Sequence, residues 1–212
     1  MMKLYTAFRS SAAFRARIAL NLKGLAYEPA FVHLARGEHR KPEYAAINPQ
    51  ALVPTFEDDG VRLVQSLAII EYLDEMHPIP PLLPKDALGR ARVRSISLLV
   101  ACEIHPLNNL RVLQHLKRSL GQNDEQVNAW YRHWIGDGFQ KFEAELARGA
   151  TGRFCHGDAP TMADCCLVPQ VFNAQRYQCD TSPYPTVMRV FAECMKLDAF
   201  DRAQPSKQPD AE

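Results

Sequence analysis

The sequence predicts an α/β domain followed by an all-helical domain, and three observations support this division. Short strand-like runs alternate with helical patterns over the first part of the chain. The segment from His77 to Pro84 then carries four prolines and no helical pattern, which is typical of a spacer between folded units. Beyond Ala87 the apolar residues follow helical spacing almost to the end. We therefore predict domains at residues 1–84 and 88–212.

Composition restricts the classes of function. The chain has 212 residues, of which 47% are hydrophobic, and a net charge of +1. This charge gives no electrostatic basis for binding nucleic acid or a membrane surface. No apolar run approaches the ~20 residues that span a bilayer. The six cysteines lack CxxC or zinc-ligand spacing, so we expect no metal site, and we expect buried thiols in a reducing cytoplasm.

The first domain begins with a strand near Leu4, a turn with two serines and a helix that ends at Gly24. Three residues recur at four-residue spacing and mark the apolar face of this helix: Phe14, Ile18 and Leu22. The basic composition before Glu28 is also found in organelle transit peptides. We interpret the segment as folded, because the strand and helix that it predicts are needed as partners by the following elements.

The rest of the first domain predicts three further strands. Residues 27–33 form the second strand, which Pro29 places at a sheet edge, and a short helix follows. Residues 55–57 and 61–64 form a hairpin around an Asp-Asp-Gly turn, and a helix begins with Ser66 as its N-cap. The order is β-α-β followed by β-β-α, and a right-handed crossover makes the first two strands parallel. Few small folds use this order, and the thioredoxin-like fold is the obvious one.

In the second domain we predict one long helix over about residues 89–120, kinked at Pro106 because proline cannot donate a backbone hydrogen bond. A capping box opens the next helix at Asn123. Another capping box, Thr161-Met162-Ala163-Asp164, precedes an apolar helix, and Pro185 starts the last long one. Residues 204–212 are polar and predict a loosely held tail.

Two polar pairs are candidates for a functional site. Ser10 and Ser11 lie where the first helix begins, where free backbone N–H groups favour an anion. A serine at this position is either a plain N-cap or part of an anion site. His105 and Asn109 are four residues apart and are expected on one helical face beside the kink. They either line an active site or satisfy each other or the freed carbonyl of Cys102.

Several motifs occur together and resemble those of the cytosolic glutathione transferases, in particular the zeta class, over nearly the whole chain. They are Arg9 to Leu20, Asn48-Pro49-Gln50, Val53-Pro54, Gln65 to Leu73, Thr161-x-x-Asp164 and Leu167-Val168-Pro169-Gln170. Ala12 stands where this class usually has cysteine, which puts in doubt any side activity that relies on that thiol. The resemblance implies a glutathione transferase fold, with a thioredoxin-like N-terminal domain and an all-α C-terminal domain.

The resemblance also implies a site for glutathione as cofactor. Gln65 and Ser66 match the pair that holds the γ-glutamyl carboxylate. Val53 would offer its backbone to the cysteinyl unit, which requires a cis Val53-Pro54 bond. Gln50 and His39 match the glycine end, although His39 is equally well interpreted as a solvated residue in a charged loop.

The resemblance also implies which residues take part in catalysis and in substrate binding. The implied catalytic residues are Ser10, Ser11 and Arg9, and Ser10 would stabilise the thiolate of glutathione. The implied substrate-binding residues are Arg9, Arg176, His105 and Asn109. Arginine suits a dicarboxylate because its planar fork pairs with carboxylates, although Arg176 near a helix end is also interpretable as an ordinary surface charge. Arg15 and Arg17 are expected to be structural or solvated.

The implied function is glutathione-dependent isomerisation of a maleyl diketo acid, with maleylacetoacetate and maleylpyruvate as alternative substrates. A general glutathione transferase is a second alternative. A non-catalytic adaptor with the same fold belongs to another class, and the presence of Ser10, Gln65 and Ser66 speaks against it. The family also implies a cytoplasmic homodimer.

Overall fold

The structure is a computed structural model that describes residues 1–212. The chain forms two compact units, one of residues 1–82 with 195–212 and the other of residues 83–194. Residues 88–212 were all predicted to belong to the helical domain, and this prediction is wrong for residues 195–212. Helix α9 (Asp198–Asp201) packs on a helix of the first unit, which groups the end of the chain with the first unit.

The first unit contains a four-stranded sheet. Its strands are β1 (Lys3–Thr6), β2 (Glu28–Phe31), β3 (Thr55–Asp58) and β4 (Val61–Val64), in the spatial order β2-β1-β3-β4. β1 and β2 are parallel, and β3 is antiparallel to both of its neighbours. The predicted parallel crossover, the edge position of the second strand and the hairpin are therefore confirmed. Asp59 and Gly60 both have positive φ at the hairpin turn, at 46° and 81°.

Three helices alternate with these strands along the chain: α1 (Ser11–Leu22) follows β1, α2 (Pro42–Ala45) follows β2, and α3 (Ser66–Met76) follows β4. α1 packs against α3, and the predicted apolar residues Phe14 and Ile18 are buried in the core together with Leu4 and Phe56. Gly24 takes the left-handed conformation expected after the first helix, with φ of 66°. The N-cap of α3 is Gln65 and not Ser66, which is the first helical residue.

Hydrogen bonds fix the first residues of the Pro-rich segment to the first unit. The buried ammonium group of Lys23 donates to the Asp74 carboxylate at 2.6 Å and to the carbonyls of His77 and Pro80 at 2.6 and 2.5 Å. Leu82 N–H also donates to Asp74, at 2.7 Å. The contact boundary between the units therefore falls at 82/83, two residues before the predicted end of the first domain.

The second unit is helical. Its helices are α4 (Ala87–Leu98), α5 (Leu110–Arg118), α6 (Asp124–Ala147), α7 (Met162–Arg176) and α8 (Pro185–Met195), of which the last residue belongs to the first unit. None of the helices combines the length and the apolar character that a membrane span requires. Asn123 and Gln126 form the predicted capping box of α6. Asp164 accepts from the N–H groups of Thr161 and Cys155 at 2.7 and 2.8 Å at the start of α7.

The prediction of one kinked helix over residues 89–120 is wrong. α4 passes into a π-helical segment, Leu99–Ile104, then into a 3₁₀ turn, His105–Asn108, and α5 starts afresh. Pro106 lacks the N–H that a continuous helix needs, and Asn109 is extended, with ψ of 147°, so that its side chain caps α5 by accepting from Arg111 N–H at 3.1 Å.

Candidate active site

The turn that follows β1 presents Ser10 at the N-terminus of α1. Ser10 has extended backbone angles, and its Oγ accepts from the N–H of Ala13 at 3.2 Å, so Ser10 is the N-cap. This bond uses a lone pair of the hydroxyl oxygen, and the hydroxyl proton can still be donated to another group. The N-cap and anion-site interpretations are therefore compatible with each other.

Ser11 and Arg9 flank Ser10 in different environments. Ser11 is buried as the first residue of α1. Arg9 is exposed, and its guanidinium lies 4.9 Å from the centroid of the Phe8 ring. An exposed guanidinium is accessible to a carboxylate, with which its planar fork can pair.

Two of the predicted cofactor residues are in direct contact. The side-chain amide of Gln65 donates to the side-chain oxygen of Gln50 at 2.8 Å. Gln65 has φ of 71°, a left-handed value that is unfavourable for a residue other than glycine. Strain of this kind is concentrated at ligand-binding positions, where the surrounding structure maintains it.

Ser66 begins α3 directly after this strained residue and is 6% exposed. The guanidinium of Arg15 lies against Ser66 Oγ at 3.4 Å, and Arg15 itself is 2% exposed. A buried cation next to a helix N-terminus adds to the positive potential that attracts a carboxylate. The sequence analysis expected a structural or solvated role for Arg15 and missed this position, since α3 lies far along the chain.

The Val53-Pro54 peptide bond is cis, as the resemblance requires. Val53 is 8% exposed and belongs to a cluster with Ala7, Val32 and Tyr44. The carbonyl of the preceding residue, Leu52, accepts from Tyr44 at 2.7 Å and from Asn48 at 2.8 Å. These two side chains fix the loop that presents the Val53 backbone, and the sequence analysis gave neither of them this role.

His39 is buried, at 6% exposure, in a short 3₁₀ turn (Glu38–Arg40). The interpretation of His39 as a solvated loop residue is therefore wrong. Its Nδ1 atom has no hydrogen-bond partner in the structure. Burial, followed by the charge of Arg40, lowers the pKa of His39, so the neutral ring is favoured.

In the second unit, Arg176 is the last residue of α7 and is exposed. Its guanidinium lies 4.9 Å from the centroid of the Tyr177 ring, which stacks on Tyr131 at 3.5 Å. Burial raises the pKa of Tyr131, and the positive charge of Arg176 acts in the opposite direction. Arg176 therefore has two aromatic neighbours that restrict its guanidinium, which an ordinary surface arginine lacks.

His105 and Asn109 do not share a helical face, so that prediction is wrong. His105 begins the 3₁₀ turn, whereas Asn109 is the extended N-cap of α5. The four-residue spacing places two side chains on one face only in a continuous helix, and the helix is interrupted between His105 and Asn109. Their role as substrate contacts stays a prediction.

Two family models match this chain. The glutathione S-transferase N-terminal domain matches residues 1–75, and the glutathione S-transferase C-terminal domain matches residues 114–198. The first range contains the sheet, α1, α2 and all of α3 except Met76, and the second contains most of the helical unit.

Individual relatives cover the whole chain. Maleylpyruvate isomerase of a Ralstonia species is 51% identical over 99% of this chain and 100% of the relative. A holo structure of a maleylpyruvate isomerase, described as a bacterial zeta-class glutathione S-transferase, has a TM-score of 0.96 at 51% identity and covers 99% of this chain and 100% of its own. The maleylacetoacetate isomerase of Methylobacterium extorquens, with bound malonate and GSH, has a TM-score of 0.96 at 45% identity and 99% coverage of both chains. The chain therefore belongs to the glutathione S-transferase family, in its zeta class.

Proposed function

We propose that this protein is a glutathione-dependent cis–trans isomerase that converts maleylacetoacetate to fumarylacetoacetate in the catabolism of tyrosine and other aromatic compounds. The observation that carries the proposal is the full-length likeness to zeta-class isomerases, one of which holds GSH together with the dicarboxylate malonate. Maleylpyruvate is the second candidate substrate, favoured by the 51% identical Ralstonia relative that is named for it.

The residues of the first unit fit glutathione. Gln65 and Ser66 offer an amide, a hydroxyl and the N-terminus of α3 to the γ-glutamyl carboxylate, with the Arg15 cation behind Ser66. The backbone of Val53 serves the cysteinyl unit. Gln50 and His39 serve the glycine end, and the unpartnered Nδ1 of the buried His39 is a polar atom that a ligand can satisfy.

When bound, glutathione supplies a thiolate that adds reversibly to the conjugated double bond, which then rotates as a single bond. The protein has to keep this thiol ionised near neutral pH, although a free thiol has a pKa of ~8.5. The Ser10 hydroxyl donates to the sulfur, and the free N–H groups at the start of α1, including that of Ser11, favour its negative charge.

The substrate requires cationic groups, because it carries carboxylates at both ends. Arg9 beside Ser10, and Arg176 on α7, supply guanidinium groups that pair with carboxylates in a bidentate manner. His105 and Asn109 are further proposed contacts, each from its own backbone position.

The test measures isomerisation of maleylacetoacetate and of maleylpyruvate with a catalytic amount of glutathione. An isomerase completes the conversion and leaves the free-thiol concentration unchanged, whereas a general transferase consumes one thiol per product formed. The ratio of kcat/KM for the two acids decides the substrate. Passage of the protein through a glutathione-affinity column, without conversion of either acid, would instead indicate an adaptor.

A homodimer in the cytoplasm is the proposed physical state. Exposed leucines on α4, Leu88 at 85% and Leu98 at 44% exposure, supply apolar surface for a second copy. All six cysteines are free thiols, which fits a reducing compartment. Sedimentation of wild-type protein and of Leu98→Glu tests the dimer, which the added charge should dissociate. An unchanged dimer in the variant would place the interface elsewhere.

A further inference from the structure

The C-terminal segment 195–212 belongs to the first unit, whereas its residues 204–212 were predicted to form a loosely held tail because of their polar composition. Phe200 and Ala203 are 0% and 1% exposed. Helix α9 packs on α1, and the side-chain amide of Asn21 donates to the carbonyl of Ala199 at 2.9 Å. These buried residues fix the start of the segment. Within residues 204–212, Asp210 is 9% exposed and binds the N–H of Phe8, so the prediction of a loosely held tail is wrong.

One buried guanidinium joins this segment to the turn that carries Ser10. Arg17 is 1% exposed and donates twice to the carbonyl of Ala203, at 3.1 Å from both Nε and Nη2. The same group donates to the carbonyls of Ala7 at 3.2 Å and Phe8 at 3.1 Å. Arg17 thus links the carbonyls of Ala7 and Phe8 in the turn to the carbonyl of Ala203 in the C-terminal segment.

Asp210 binds an N–H group of the same turn, whereas Arg17 binds its carbonyls. Its Oδ2 accepts from the N–H of Phe8 at 2.9 Å across 202 residues of sequence, and its Oδ1 is buried without a hydrogen-bond partner. Burial lowers the pKa of Arg17 to about 10, and the charges of Tyr27 and Asp210 act to raise it, so Arg17 is charged at neutral pH.

The last residue extends these contacts to a second candidate loop. Glu212 accepts from the guanidinium of Arg36 at 2.8 Å and lies 3.8 Å from Nδ1 of His33. His33 and Arg36 lie on the segment that leads into the 3₁₀ turn of His39. The tail therefore contacts both the Ser10 turn and the approach to His39.

We propose that the C-terminal tail is a positioning element for the proposed thiol site, in which Asp210 and the Arg17-bound carbonyl of Ala203 fix the turn that aims the Ser10 hydroxyl. The inference rests on the proposed function. Asp210 and Arg17 act through the backbone of residues 7–8, and neither is placed in contact with substrate. Because Ser10 follows this turn directly, a small shift of the Phe8 peptide displaces the hydroxyl from the sulfur that it has to stabilise.

The experiment compares Asp210→Ala with Asp210→Asn in the full-length protein. Asp210→Ala removes the acceptor of Phe8 N–H, and we expect kcat to fall about tenfold, equivalent to ~1.4 kcal/mol. The ionisation midpoint of the bound glutathione thiol should rise, while the Kd of glutathione changes little. Asp210→Asn retains an oxygen acceptor at the same place and should restore most of kcat. Deletion of residues 209–212, which leaves Phe200 and Ala203 in place, is the second variant and should lower kcat in the same way.

The matched control is Asp198→Ala, an exposed carboxylate of the same tail that pairs with Arg202 and does not contact the turn. We expect wild-type kcat and thiol midpoint from it. An equal loss in the control would overturn the proposal, as would unchanged kcat and thiol midpoint in both Asp210→Ala and the deletion. Amide hydrogen exchange at Phe8 is the independent readout, and faster exchange is expected in Asp210→Ala and in the deletion, but not in Asp210→Asn or Asp198→Ala. If wild-type protein neither bound glutathione nor isomerised the acids, the proposed function would fail, while the exchange measurement would still report on the tail contact.

Discussion

Replacement of Ser10 separates its two roles, capping α1 and stabilising a thiolate. Ser10→Ala removes the Oγ acceptor of Ala13 N–H, and loss of an N-cap of this type costs ~1 kcal/mol of unfolding free energy. It also removes the hydroxyl donor to the sulfur. A hydrogen bond to a charged group contributes ~1.5–3 kcal/mol, and ~1.4 kcal/mol corresponds to one pKa unit. The pKa of the bound thiol should therefore rise by about 1–2 units.

The assay is a pH titration of the ultraviolet absorbance of bound glutathione thiolate, together with kcat as a function of pH. For Ser10→Ala we expect both midpoints to move upward together, so that kcat at neutral pH falls and recovers at higher pH. The fall is at most about 10- to 100-fold, because the wild-type thiol is already largely ionised at neutral pH. The Kd of glutathione should change by less than about threefold, since the contacts of the γ-glutamyl and glycine ends are intact.

Two matched variants identify the cause. Ser10→Thr keeps both the cap and the hydroxyl, so activity and melting temperature should stay near wild type. Ser10→Asp keeps the cap, but it places a carboxylate beside the thiolate, so the melting temperature should persist while activity is lost. The reasoning would be refuted if Ser10→Ala weakened glutathione binding as much as it lowered kcat. It would also be refuted if the thiol of glutathione bound to the wild-type protein titrated as it does in free glutathione.

Three further predictions use other parts of the chain. Arg176→Ala should mainly raise the KM of the diketo acid, by about tenfold for a lost charge-assisted contact, and an unchanged KM in steady-state kinetics would exclude this role. His39 has a lowered pKa in the folded state, so its contribution to stability is present above about pH 6.5 and is lost as pH falls. Urea unfolding of His39→Asn should therefore show a weaker decline of stability in acid than wild type, and parallel curves would contradict the assignment. A Cβ added at Gly138 would lie 2.3 Å from Ile104, so Gly138→Ala should cost ~1–3 kcal/mol in urea unfolding. In the control Gly136→Ala the added Cβ meets only one atom, at 3.7 Å, and alanine has the higher helix propensity, so this variant should be neutral or stabilising; a loss equal to that of Gly138→Ala would contradict the packing argument.

Local signals were predicted well because their partners are close in the sequence. The left-handed Gly24, the Asp59-Gly60 turn and the Asn123–Gln126 capping box each depend on residues within a few positions of one another. The same holds for Thr161 and Asp164 at the start of α7. The motifs that indicated the family are likewise short and contiguous.

Features that depend on remote partners were mispredicted or missed. The buried state of His39 and the contact of Arg15 with Ser66 arise only when distant segments pack together.

The interruption near Pro106 was expected as a kink. The structure instead has a π-helical segment, a 3₁₀ turn and a new helix capped by Asn109, and proline chemistry alone does not choose among these geometries.

By itself the sequence determined the order of the four strands, the caps of α1, α6 and α7 and the residue types offered at the start of α1 and α3, since these follow from backbone preferences and short-range hydrogen bonds. The tertiary structure alone decided that Gln65 contacts Gln50, that Arg17 bonds to the carbonyl of Ala203 and that Asp210 binds the amide of Phe8. Such contacts form between groups far apart along the chain, and no local pattern records which polar groups will be buried next to each other once the apolar core has formed.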